Sequence, residues 1–405
     1  MIPLVKPSRA SLYALSFLVF LISDVQGGVG PFITVYITSA LNWDAEKIGL
    51  VLGMYNISSL VSQIPGGLLI DSAKYKQWLI GIATIIIAMG CLLIVNSSTL
   101  LPILIAQSFI GIATSIIPPA ITAITLGLVG QQLFPERLAI NATFNHAGNV
   151  FNAFITGLMV FWLGVSWVLY VDVFFSLISL IPLMLIKKSE INNAIARELP
   201  QDISDKNYKP LPIAQLMTSF PIIIFGISLI LFTFSNSAQL PLLVQKIAAH
   251  SSKHTSFYMS SSIIIAQLVM IVVAFMLSFI INKIGRKPLF MSVYFILVVR
   301  AILYTLTTKP YLLIANQLLD GVAAGIFSIV SIVIISDLAK NSGRFNFMQG
   351  LMIFCISIGA ALSNLVAGYV AKLMSIDVAF ILLAGIAAIG LLFFGCLMPE
   401  TKNKT

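Results

Sequence analysis

Twelve apolar runs, each long enough to cross a bilayer, follow one another along the chain with little polar sequence between them. About 20 apolar residues span the hydrocarbon core of a membrane. The runs lie near residues 10–39, 47–70, 77–96, 99–130, 137–161 and 165–187, then 213–245, 256–281, 288–308, 310–338, 344–372 and 376–397. In lipid every backbone N–H and C=O must be satisfied within the protein, and helices do this for runs of such length. Composition agrees: of 405 residues 59% are hydrophobic and 9% charged, with a mean hydropathy of +1.03. A soluble domain carries about 25% charged residues. The expected fold class is an all-α polytopic membrane protein, and no extramembrane stretch is long enough for a catalytic domain.

The excess of 23 basic over 14 acidic residues, formally +9, sits in short loops, where it reports orientation rather than nucleic-acid binding. Placing both termini in the cytoplasm puts most Lys and Arg inside, although the loop from Lys246 to His254 is more basic than the rule prefers. Residues 188–211 hold Glu190, Arg197, Glu198, Asp202, Asp205, Lys206, Lys209, Pro200 and Pro210. They read as a cytoplasmic linker between an N-terminal bundle, 1–187, and a C-terminal one, 212–405. Cys91, Cys355 and Cys396 lie within apolar runs without metal-ligand spacing and read as packing residues. The basic N-terminus leads into the first span rather than a cleaved signal peptide.

The two halves repeat each other at an offset near 210 residues. Phe20, Ser23 and Asp24 fall on Phe232, Ser235 and Asn236; Asp71 falls on Asn282; Gln107, Gly111 and Ala113 fall on Gln317, Gly321 and Ala323. Six spans repeated as six is a transporter architecture, with the substrate site expected near the midplane between the repeats.

The loop between spans 2 and 3, Gly67-Leu68-Leu69-Ile70-Asp71 followed by Lys74 and Lys76, resembles the loop signature of the major facilitator superfamily. Asn282-Lys283-Ile284-Gly285-Arg286-Lys287 between spans 8 and 9 keeps its Gly-Arg-Lys part and loses the acid. The resemblance covers essentially the whole chain. It implies twelve transmembrane helices as two pseudo-symmetric six-helix bundles in a bacterial inner membrane. In the family a carboxylate at this place, near basic residues and a neighbouring helix N-terminus, latches the cytoplasmic side. The resemblance therefore implies a gating role for Gly67, Asp71, Lys74, Gly285, Arg286 and Lys287; the plain alternative is that they mark a membrane boundary. Two departures stand out. Gln107 replaces the span-4 Arg that many members use in proton coupling, and the Gly-Pro pair of antiporters is absent from span 5. Asn145-His146-Ala147-Gly148-Asn149 and Gln317-Leu318-Leu319-Asp320-Gly321 also resemble a bacterial subgroup.

A charge at the bilayer centre costs about 2.5–3.5 kcal/mol even on lenient scales, yet Asp24, His146, Arg300 and Asp320 lie well inside spans. Arg300 and Asp320 fall at similar depth on consecutive antiparallel spans, roughly 12 and 15 Å from the outer end at about 1.5 Å per residue. They are expected to pair; the alternative is that Arg300 snorkels outward and Asp320 sits in a hydrated cavity. A similar Arg and acid occur in the proton-sugar symporters of the family. Asp24 precedes Gln26-Gly27-Gly28-Val29-Gly30-Pro31, a run that loosens the helix and lets a carboxylate trade protons with a cavity. Its repeat partner Asn236, with Gln239 and Pro241, keeps the geometry but cannot titrate. His146 serves either ligand binding or interhelical bonding. Asp172 and Asp377 begin spans 6 and 12 and read as interface residues. Asp24, Asp320, Arg300 and His146 are thus the proton-coupling candidates, and Gln26, Gln107, Asn236, Gln239 and Gln317 the substrate-binding ones.

No phosphate-binding Gly-rich loop occurs, so an ion gradient or the cargo's own gradient must drive movement. One proton crossing about 100 mV releases roughly 2.3 kcal/mol and each pH unit adds about 1.36 kcal/mol. The expectation is a proton-coupled secondary transporter of a small molecule working by alternating access, with export by antiport ahead of symport uptake. A non-transporting receptor of the same fold is the reading from another class. No enzyme activity, cofactor, metal or nucleic-acid partner is expected. The partners are a small-molecule substrate, protons and the lipid bilayer, and the protein is expected as a monomer.

Overall fold

The apolar runs are helical, and the helices pass through Pro65, Pro118, Pro119, Pro135 and Pro182 without stopping. The computed structural model describes residues 7–23, 25, 32–43, 45–199, 210–250 and 255–402. Among these residues it contains fifteen α-helices, short 3-10 turns and no strand. Ten of the helical stretches are long and apolar enough to cross a membrane. Large apolar side chains such as Phe161, Trp162, Met184 and Leu365 are exposed, as a lipid-facing surface requires. Two compact units are formed: Met1–Pro210 with Ala339–Gly350, and Leu211–Leu338 with Leu351–Thr405.

The first unit contains α1 (Arg9–Ile22), α2 (Phe32–Ala40), α3 (Ala45–Ser72), α4 (Lys76–Val95), α5 (Leu100–Leu163) and α6 (Trp167–Leu185). At 64 residues, α5 spans about 96 Å, enough for two crossings. It is broken at Gly130, whose φ of 74° and ψ of 169° belong to backbone that glycine alone adopts readily. The break falls between the runs expected at 99–130 and 137–161. Helices α3 and α4 pack on α5, and α1 packs on α5 and α6. The α1–α5 crossing is close, because a Cβ on Gly148 would overlap the Phe20 carbonyl. Beside it Asn152 Nδ2 donates to Ser23 Oγ at 3.1 Å. Arg137 of α5 donates through Nη2 to Leu12 O at 2.7 Å and Ser16 Oγ at 2.6 Å.

The second unit contains α7 (Ile213–Met217), α8 (Phe220–Asn236), α9 (Gln239–His250), α10 (Thr255–Ile280), α11 (Arg286–Thr305), α12 (Pro310–Ala315), α13 (Gln317–Ala339), α14 (Phe345–Leu373) and α15 (Ile376–Leu397). Helix α14 starts in the first unit and continues into the second. The packing of α15 on α8 and α11 is built around Phe225, Phe290 and Phe394, whose rings lie 4.7–6.5 Å apart. Two expected spans are interrupted. Between α8 and α9 the amide of Ala238 donates to Ser363 Oγ at 2.9 Å, and between α12 and α13 stands Asn316. Polar residues at both interruptions supply the side-chain hydrogen bonds that a bend in an apolar helix needs.

After α6 the described part of the linker contains 3-10 turns at Lys188–Glu190 and Ile195–Arg197. Glu190 accepts from Ser8 N at 2.9 Å and Ser8 Oγ at 3.0 Å, fastening the end of the sixth span to the start of α1. The Ser8 amide bond, aided by nearby hydroxyls and Lys187, holds the Glu190 carboxyl below the usual carboxylate range. A depressed folded pKa means that the unfolded chain binds more protons at acid pH. The contribution is therefore full above the ordinary value of about 4.3 and is lost as pH falls through the folded value. In thermal unfolding from pH 7 to pH 3, Glu190→Gln should melt below wild type at pH 7, with the gap closing below about pH 4. A gap independent of pH would show that the cap contributes no ionic stabilisation.

Candidate functional site

Arg300 lies on α11 with its side chain 2% exposed. Three neighbouring helical segments supply its partners. From α13, Asp320 accepts a hydrogen bond from Nη1 and forms the ion pair. From α9, Gln239 Oε1 accepts from Nε at 2.8 Å, and Gln239 is oriented in turn by donating Nε2 to Ser235 O at 2.8 Å. From the break between α12 and α13, Asn316 Nδ2 donates to the Arg300 carbonyl at 2.9 Å. One turn along α11 the Tyr304 ring lies 5.9 Å from the guanidinium carbon. Asp320 is the more accessible partner, with a side chain 18% exposed.

This arrangement joins Arg300, Asp320 and Gln239 of the sequence candidates in one cluster, and gives Gln239 a task in fixing Arg300. Asn236, which ends α8, keeps Oδ1 buried without a hydrogen-bond partner. Gln317 opens α13 with Nε2 in the same condition. Asn316 and Tyr304 were not among the candidates. Asn316 was detectable as the residue that interrupts an apolar run four positions before Asp320. Tyr304 had no signal beyond lying four positions after Arg300.

The other candidates are distributed differently. Asp24 and Gln26 lie outside the described residues. His146 and Gln107 belong to the first unit, both buried on α5, so they join no cluster with Arg300 within one unit. Both side-chain polar atoms of Gln107 are buried without a hydrogen-bond partner.

The first unit makes the contact equivalent to the ion pair with apolar residues. The repeat offset of about 210 sets Gly90 of α4 against Arg300 and Ile110 of α5 against Asp320. These two also touch, since a Cβ on Gly90 would lie 2.7 Å from Ile110 Cγ1.

Of the gating candidates, Asp71 at the end of α3 accepts from Asn346 N at 3.2 Å, Asn346 Nδ2 at 2.8 Å and Phe347 N at 2.9 Å. The carboxylate thus satisfies amides that the first turn of α14 leaves free. Gly67, one turn earlier, lets the backbones meet: its built Cβ would lie 2.8 Å from Asn346 C and 2.9 Å from Phe347 Cα. Asn346 Nδ2 also reaches the linker carbonyl of Ala196 at 3.3 Å. Lys74 takes no part in this contact; its ammonium lies 5.4 Å from the Tyr75 ring centroid. In the second unit Gly285 precedes the start of α11, where Glu400 accepts from Arg286 N at 2.8 Å and Lys287 N at 3.2 Å. Arg286 Nε lies 3.5 Å from Asp337. Asn346, Glu400 and Asp337 were missed by the sequence reading, since a helix cap is defined by the partner that reaches it.

Long apolar helices, interrupted helices and a buried ion pair within one bundle are the marks of a multi-pass membrane transporter. The description "Major Facilitator Superfamily" matches the chain over residues 15–299 and 225–405, and the chain belongs to that superfamily. Two relatives, each 35% identical over 391 residues, cover 96% of this chain and 94% of their own length. They are MFS-type transporters described as uncharacterised, from Mycobacterium tuberculosis strains CDC 1551 / Oshkosh and ATCC 25618 / H37Rv. Among solved structures, the transporter FucP in the outward conformation superposes with a TM-score of 0.78 at 14% identity, covering 95% of this chain and 97% of that one. A variant of the E. coli Fucose:proton symporter FucP gives 0.72 at 13% identity, covering 95% and 98%.

Breaking a buried pair by removing one partner costs about 3–5 kcal/mol, whereas removing both charges costs far less. Arg300→Gln and Asp320→Asn should each lower the unfolding midpoint in detergent more than the double variant does. A double variant as unstable as the two single losses added together would show that the charges are not energetically coupled.

Proposed function

We propose that this transporter couples the uptake of a small molecule to protons by symport, with the Asp320 carboxylate as the proton carrier. The observation that carries the proposal is the Arg300–Asp320 pair itself, placed where the other half uses Gly90 and Ile110. A helix–helix contact that works with apolar residues in one repeat does not need charge for folding in the other. Charge retained at such a cost in membrane spans points to transport. Protonation of Asp320 removes the negative charge that holds Arg300 Nη1, weakens that bond and frees the donor, with the Gln239-held Nε beside it, for an oxygen of the cargo. Proton loading then favours cargo binding, which is the order that symport needs. The likeness to a solved fucose:proton symporter fits this reading at the level of the fold. Export by antiport was the sequence expectation and rests on Asp24.

In proteoliposomes holding a pH dye, wild-type protein should accumulate an accepted cargo from a panel of hexoses, amino acids and monocarboxylates when an inward proton gradient is imposed. The lumen should acidify in step with uptake. Asp320→Asn should lose proton-driven accumulation at least tenfold. Proton movement opposite to the cargo would establish antiport, and unchanged accumulation by Asp320→Asn would falsify the role of this carboxylate.

Alternating access also needs a latch that opens, and Asp71 with the first turn of α14 supplies it in this proposal. The bonds to Asn346 and Phe347 and the close approach at Gly67 support that role, and the Lys and Arg asymmetry supports a cytoplasmic location for this end. Gln349, 2% exposed in the first turns of α14, reports on it. In a Cys396→Ser background, chosen because Cys396 is exposed, Asp71→Asn should raise thiol labelling of Gln349→Cys severalfold. Equal labelling with and without Asp71 would show that its hydrogen bonds hold nothing shut.

A further inference from the structure

Arg300 cannot shed its charge, because guanidinium stays protonated throughout the accessible pH range. Among the described residues Asp320 is the one carboxylate within ion-pair distance of it. The buried charge on α9 nearest this end of α11 has its own partners. Lys246 of α9 donates through Nζ to Asp377 at the start of α15 and to the Tyr304 carbonyl, each at 2.6 Å. Gln239 offers a neutral acceptor and Asn316 contacts only the backbone of Arg300. At the far end of α11, Arg286 is held by Asp337 and Ile281 O. When Asp320 takes up a proton, the guanidinium therefore loses its counter-charge while remaining buried, a state that an apolar surrounding strongly disfavours.

We propose that the cargo's own carboxylate replaces Asp320 at Arg300, so that the transporter moves a small monocarboxylate together with one proton. The inference rests on the assignment of Asp320 as the proton carrier, and adds to it the chemical class of the cargo and the charge of the step. A proton on Asp320 and a monoanion on Arg300 sum to zero, so each transport step is electroneutral. The planar fork of Arg300 suits a carboxylate. Two polar atoms on residues that touch Arg300, Tyr304 Oη and Asn316 Oδ1, are buried without hydrogen-bond partners. They are placed to meet hydroxyl or other polar substituents of such a cargo.

Asp320→Asn mimics the protonated carrier, leaves Arg300 unpaired, and so makes a site for any small carboxylate. Thermal unfolding of the full-length protein in detergent would compare formate and acetate with formamide and acetamide at pH 8. The carboxylates should raise the midpoint of Asp320→Asn, with an apparent Kd at least tenfold lower than for wild type at that pH. The amides should do nothing, and Arg300→Gln/Asp320→Asn should lose the response. A response shared by amide and carboxylate, or none at all, overturns the proposal. Should Asp320→Asn not fold, wild type must bind acetate more tightly at pH 5.5 than at pH 8, and binding that is equal at both overturns it. In proteoliposomes with radiolabelled lactate, glycerate and gluconate, uptake should follow the pH gradient and ignore a potential set with potassium and valinomycin. Proton-coupled uptake of a neutral cargo, driven by that potential, would leave the proton assignment standing and overturn the anion. Carboxylate uptake indifferent to the pH gradient would overturn the proton assignment, while the anion site is judged by the binding measurements.

Discussion

A guanidinium placed between apolar helices must be met by hydrogen-bond acceptors from several directions, and much of the second bundle is arranged to meet this demand. The Arg300 guanidinium donates to Gln239 of α9 and Asp320 of α13, while Asn316 in the preceding break donates to the Arg300 main-chain carbonyl. Each supporting residue sits where a helix starts or is interrupted. Gln239 opens α9 after the break that follows Asn236, and Asn316 separates α12 from α13. Interrupted helices in a membrane protein are tolerated where polar groups re-satisfy the backbone. Here the same interruptions deliver the groups that hold the charge. The polar cluster and the broken helices are thus one feature.

Elsewhere the bundles depend on backbones coming close, which glycine alone permits at the tightest points. Gly148 allows α5 to meet the Phe20 carbonyl of α1, and Gly67 allows α3 to meet the first turn of α14. Once the backbones are this near, short polar links follow: Asn152 to Ser23 in one case and Asp71 to Asn346 in the other. Packing of small residues and interhelical hydrogen bonds replace the hydrophobic effect, which cannot drive helix association when lipid is as apolar as leucine. Glutamates that follow the last span of each half add a further tie. Glu190 and Glu400 are separated by the repeat offset, yet the first caps α1 and the second caps α11. The repeat preserved the acid and changed its partner.

The helical membrane fold was legible because lipid imposes it: twelve runs of sufficient length left one way to satisfy the backbone. The Arg300–Asp320 pairing was legible for a similar reason, since two scarce charges at equal depth on adjacent antiparallel spans have few other partners. Gln239 was picked out as polar, but its attachment to Arg300 depends on a contact 61 positions away, which periodicity does not reveal. In the first run, 10–39, the residues after Asp24 were expected to loosen the helix, and the described helices there are α1, which ends at Ile22, and α2, which starts at Phe32. Caps escaped the reading for a general reason. Asn346 looks like any polar residue near a helix start until the Asp71 carboxylate is brought to it from a point 275 positions away.

The pseudo-symmetry of the chain makes the ion pair informative beyond its own geometry. Spans 3 and 4 of the first half and spans 9 and 10 of the second descend from one pattern, as Gln107 with Gly111 and Gln317 with Gly321 attest. At the point where Arg300 meets Asp320, the first half sets Gly90 against Ile110, with Ile110 fully buried. The scaffold therefore accepts a glycine and a branched aliphatic side chain at this contact, and a buried pair of charges is seldom the more stable filling. Replacing buried pairs by packed apolar groups is often neutral or stabilising by about 1–4 kcal/mol, so folding alone supplies no reason to keep the ions. In the proposed mechanism the ions supply a contact whose strength depends on a single proton. In that mechanism the second half carries the coupling through this pair, while the first sets Gly90 and Ile110 at the equivalent place.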